Sequence, residues 1–107
     1  MVNLMQQAEA IRELRKNRAI QLFYEQVATT ILADVITTTW KRISGERLDE
    51  TDAVHLAQVA MEQLPDPAWI AIGSWFRSRD GDPRDEEIHE ADAEILVYRL
   101  VDMGYLQ

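Results

Sequence analysis

The chain has no cysteine, only three prolines and four glycines, and no glycine or proline at all before Gly45. Without cysteine there is no disulfide, no thiolate nucleophile and no cysteine-held metal. No uninterrupted run of about eighteen apolar residues occurs, and no basic segment leads into a short apolar run with a small-residue cleavage site. These absences predict a soluble cytoplasmic protein that does not enter a membrane. Basic residues are scarce as well: 11 Lys and Arg stand against 19 Asp and Glu, for a net charge of −8. Nucleic-acid affinity depends on cations neutralising phosphates, so direct DNA or RNA binding is not expected.

The imbalance is uneven. Residues 1–45 carry six bases and four acids, whereas residues 46–107 carry five bases and fifteen acids. A small basic patch gathers at Arg12, Arg15, Lys16 and Arg18, and eight acids fall between Asp80 and Glu94. In the plainest reading, the acidic run is a solvated helix face that keeps the protein in solution.

What the chain has in abundance is apolar helix. From Ala19 to Ile43 it places Ile20, Leu22, Phe23, Tyr24, Val27, Ile31, Leu32, Val35, Ile36, Trp40 and Ile43 without a breaker. One core-facing stripe needs about three apolar positions in seven, and this segment exceeds that. It is expected to be buried from two sides, the second supplied by another copy or a partner. Phe23, Val27, Ile31, Val35, Ile36 and Trp40 are the expected oligomer interface, most simply of a homodimer.

Punctuation divides the rest. Ser44-Gly45, Leu64-Pro65-Asp66-Pro67 and Asp80-Gly81-Asp82-Pro83 separate four segments, predicted as helices near residues 3–43, 51–64, 67–78 and 83–103. Thr51 or Asp52, Asp66 and Asp82 are the expected caps, with Pro67 and Pro83 at first helical positions. Gly104 closes the last helix. Strand competes at residues 68–76 and 95–101, which are rich in β-branched and aromatic residues. The Asp-Pro starts favour helix. One domain, 1–107, follows from the length: an all-α bundle of about four helices, completed by oligomerisation. Its first helix would span about 60 Å, against a radius of gyration near 13 Å for a compact domain of this size. That helix either breaks, around Lys16-Asn17-Arg18, or packs its excess length on a second chain. The Thr29-Thr30 and Thr37-Thr38-Thr39 clusters are compatible with a bend.

Chemistry-bearing motifs are few. Asp52-x-x-His55 and Glu86-x-x-His89 suggest the paired carboxylate–histidine motifs of two-metal bundles, and a metal-binding bundle using His55 and His89 is the alternative function. If Ile88, Ala91 and Ile95 set the core direction of the last helix, and Val54 that of the second, both pairs point outward or sideways. Asp80-Gly81-Asp82 does not continue as a calcium loop, because Arg84, Asp85 and Ala91 occupy its fifth, sixth and twelfth positions. Ser44, Ser74 and Ser78 lack a nucleophile motif, and the glycines are too scattered for a phosphate loop, so neither enzyme activity nor a cofactor is expected. Trp69, Trp75 and Phe76, with Ile70 and Ile72, are expected in the core; otherwise Trp69 and Trp75, beside Arg77 and Arg79, serve as interface anchors. Gly73 among them would admit another backbone.

The resulting expectation is a small acidic protein-interaction or regulatory module, inhibitor- or adaptor-like and homodimeric. Asp85, Glu86, Glu87 and Glu90, with Trp69 and Trp75, are its candidate contacts to a partner bearing a basic surface.

Overall fold

A computed structural model describes the backbone of residues 4–107 and the side chains of residues 17, 18 and 21–107. The side chains of Arg12, Arg15, Lys16 and Ile20 lie outside the described residues. Four helices follow one another, α1 (Leu4–Ser44), α2 (Glu50–Gln63), α3 (Pro65–Ser78) and α4 (Pro83–Asp102). The strand-rich stretches 68–76 and 95–101 are both helical. Among the described residues, no helix is long and apolar enough to cross a membrane.

Local chemistry explains the boundaries. α2 starts two or three residues earlier than Thr51 or Asp52 would place it, because the Asp49 side chain accepts from the Thr51 amide. At α3 the expected Asp66 cap is displaced: Pro65 already lies in the helix, and Leu64 precedes it without a side-chain cap bond. Asp82 does cap α4, accepting from the Arg84 amide at 3.0 Å, with Pro83 in the first turn. α4 ends in a Schellman turn. Gly104, at φ +85°, lets its own amide reach Val101 O and that of Tyr105 reach Leu100 O. The turn seats Leu106, 5% exposed, against the core.

α1 is one continuous helix and does not break at Lys16-Asn17-Arg18. The helix runs on through both threonine clusters, where Thr29, Thr30 and Thr37 each donate to the carbonyl four residues earlier. Its length dominates the shape: the molecule measures 64 × 32 × 20 Å, with a radius of gyration of 17.8 Å. Every described side chain from Gln21 to Val27 is exposed, and burial begins at Ala28. From there Leu32, Ile36 and Trp40 recur at helical spacing and join Leu56, Ala57 and Ala60 of α2, Ala68, Ala71 and Ile72 of α3, and Leu96, Val97 and Leu100 of α4 in one core.

Val35, at 2% exposure, and Phe23, at 63%, therefore test the division of α1. Val35→Asp leaves an unpaired buried charge and is expected to cost several kcal/mol, on the order of 3–5. Phe23→Ser is expected to change the stability of the single chain, at concentrations too low for association, by less than about 0.5 kcal/mol. Urea denaturation of both variants checks the contrast.

Candidate functional site

α4 is apolar on two opposite sides. Ala93, Leu96, Val97 and Leu100 are buried, whereas Ile88, Ile95 and Tyr98 are 50%, 56% and 51% exposed and Ala91 is exposed too. The expected core direction through Ile88, Ala91 and Ile95 is thus corrected by about half a turn. On α2 the rotation is smaller: Val54 is exposed, while Ala57 is buried together with Ala53, Leu56, Val59 and Ala60. Small residues decide both cases. α3 meets its neighbours through Ala68, Ala71 and Ser74, and α4 presents Ala93, so the helices approach closely and the larger side chains are left outside.

α3 repeats the pattern. Ile72 is buried as expected, but Trp69, Ile70 and Phe76 are exposed and Trp75 is half-buried, which corrects their placement in the core. Gly73 meets nothing nearer than the tip of Arg77, at 3.8 Å, so no backbone of this chain uses the space it leaves.

The rotation of α4 turns His89 inward, opposite to the expectation. It lies half-buried on a cleft of about 320 Å³ between α1, α3 and α4. The hydroxyl of Ser74, fully buried, lies 3.1 Å from the Ala71 carbonyl and 3.0 Å from His89 Nδ1, the direction of the second hydrogen bond following the imidazole tautomer. Burial holds the imidazole below the ordinary histidine value; Asp92, the Ala71 carbonyl and Glu90 oppose this, and Arg42 adds to it. With Ser74 sealed from solvent, the pair ties α3 to α4.

Around His89 the cleft carries Asp34 of α1 and Glu86 and Glu90 of α4. Its two arginines are already engaged. Arg42 pairs with Glu94, and Arg79 lies over the Trp75 ring, 4.3 Å from its centroid. The charge left over is negative, which suits a Lys or Arg side chain from a partner. His55 is exposed on α2 and does not line this cleft. Among the described residues, no three His, Asp or Glu side chains converge as metal ligands.

Of the expected partner contacts, Glu86, Glu90 and Trp75 meet at the cleft, while Asp85, Glu87 and Trp69 lie outside it. Of the expected oligomer residues, Val35, Ile36 and Trp40 are buried by the chain's own helices, which corrects their assignment to a second copy. Phe23 and Val27 are exposed and Ile31 is half-buried. Together with Gln26 and Thr30 these three form a shallow depression on α1.

Because His89 is harder to protonate in the fold than in the unfolded chain, the unfolded state binds more protons as pH falls below 6.5. The stabilisation is complete above that value and is lost as pH drops through the lowered native one. His89→Gln should therefore lose less stability than the parent between about pH 7.5 and pH 5.5. Urea midpoints at the two values measure this, and equal losses would remove His89 from the account.

Comparison of the chain with protein-family models, with curated proteins and with solved structures finds no match.

Proposed function

We propose that this chain is a small acidic protein-interaction module, of the adaptor or inhibitor kind, that pairs with a second copy through α1 and meets a basic partner through the cleft. One observation carries the self-pairing. The depression on α1 is framed by Phe23, Gln26, Val27 and Thr30, with Ile31 at its edge. Their spacing of i, i+3, i+4 and i+7 is that of the hole which receives one knob in a coiled coil. Phe23 and Val27 supply its apolar walls, and no helix of this chain covers them. A second α1 offers both the knob and the matching hole.

The cleft supports the other half of the reading. Among the described residues Asp34, Glu86 and Glu90 form no salt bridge, and with Arg42 paired to Glu94 they outnumber the remaining cleft cation, Arg79, so a partner's Lys or Arg would steer towards the site and pair within it. An excess of fifteen acids over five bases in residues 46–107 extends that attraction over the surrounding surface.

Val27→Asp tests the pairing without touching the core. Light scattering of the parent at tens of micromolar should give a multiple of the 12.4 kDa chain mass, and the variant should give a smaller multiple while keeping the helical content and a cooperative melt. A parent that runs as a monomer, or a variant with the parent's mass, would remove α1 as the contact.

A further inference from the structure

The outward side of α4 carries a pattern that neither the core nor the cleft uses. Arg84, Ile88, Ala91, Ile95, Tyr98 and Asp102 follow one another at intervals of four, three, four, three and four residues, and all six are exposed. Alternating steps of three and four are those of the two seam positions of a heptad, the spacing that meets another helix over several turns. A helix needs only one apolar stripe to join a bundle, and α4 has already spent Ala93, Leu96, Val97 and Leu100 on that purpose. The outer stripe has Ile88, Ile95 and Tyr98 about half exposed.

The order of residues along this seam selects its occupant. It begins with a cation, runs through four apolar positions and ends with an anion. Placed antiparallel on itself about a two-fold axis at residue 93, every layer is complementary: Arg84 faces Asp102, Ile88 faces Tyr98 and Ala91 faces Ile95, each pair occurring twice. On one flank Asp85 comes opposite Arg99. Like charges meet only near the axis, at Asp92 and at Glu94, and Glu94 is already paired with Arg42. Parallel pairing would set Arg84 on Arg84 and Asp102 on Asp102. A uniformly basic helix would leave Arg84 and Arg99 opposed.

We propose that the outer face of α4 is a second self-association surface, on which the α4 of another copy packs antiparallel in this register. The contact lies on a different helix from the α1 pairing and does not depend on it. One helix seam is small beside interfaces of about 800 Å² per partner, so covalent trapping is the suitable readout.

The absence of cysteine makes the trap specific. Arg84→Cys and Asp102→Cys chains, each also carrying Val27→Asp, are oxidised at tens of micromolar separately and as an equal mixture. In the antiparallel register residue 84 lies beside residue 102 of the other copy, while two residues 84 are about 27 Å apart. The mixture should give a disulfide-linked heterodimer, and neither variant alone should form dimer at a comparable rate. Adding Ile95→Lys to both chains should abolish the product while their melting temperatures stay at the parent's. No heterodimer in the mixture would overturn the proposal, as would cross-linking of Arg84→Cys alone at the mixture's rate, the mark of a parallel or random encounter. If cross-linking is as expected but Val27→Asp leaves the native mass unchanged, the α4 contact stands and the α1 pairing falls.

Discussion

A helix of 41 residues packed by helices of 14, 14 and 20 is covered over only part of its length, and the rest of the molecule is arranged around that mismatch. Ala28 is where cover begins. Beyond it α1 behaves as the spine of an ordinary bundle, with Leu32, Ile36 and Trp40 inside and Asp34 and Thr38 turned towards the cleft. Before it the described residues keep their apolar character but are left exposed, Leu22, Phe23 and Tyr24 by more than half. Contiguous apolar surface of this kind is uncommon on a monomer and marks a place of contact.

α4 shows how one helix can divide its circumference among separate tasks. Ala93, Leu96, Val97 and Leu100 hold it to the bundle, and His89, Glu86 and Glu90 face the cleft. Ile88, Ala91, Ile95 and Tyr98 look away from both. The acids that dominate its composition are spread over these sectors, so the helix is not a uniform acidic face. Glu94 is engaged by Arg42, Asp92 acts on the His89 imidazole, and Asp82 is consumed as a cap. That leaves Glu86 and Glu90 as the open charges that α4 contributes to the cleft.

The four helices, their order and their approximate ends were legible in the sequence because breakers are so few: Gly45, Pro65-Asp66-Pro67 and Asp80-Gly81-Asp82-Pro83 leave little choice. Which side of each helix faces inward was less legible. On α4 two stripes have helical spacing, and the one through Ile88 and Ile95 carries the bulkier, more β-branched residues, so periodicity alone favours the wrong one. Close approach of α3 selects the stripe with Ala93 instead. Turn symmetry held the missing information. Ser74 and His89 are equally distant from the centre of the Gly81-Asp82 turn, and two antiparallel helices joined there bring such residues level. The cation–π contact of Arg79 with Trp75 and the Arg42–Glu94 pair depend on side-chain reach across packed helices, for which the sequence offers no comparable signal.

The partial cover of α1 also divides its backbone into two regimes of local stability. A peptide hydrogen bond near Ile36 opens only when four helices separate, so its exchange with solvent is limited by unfolding of the bundle as a whole. One between Gln21 and Val27 needs only a few turns of solvent-exposed helix to uncoil, which takes far less free energy. In a single chain, amide exchange along α1 would therefore quicken sharply on passing Ala28 towards Gln21, within one unbroken helix. A second chain laid over Phe23 and Val27 would push that boundary outward, so the position of the step reports how far along α1 another molecule reaches.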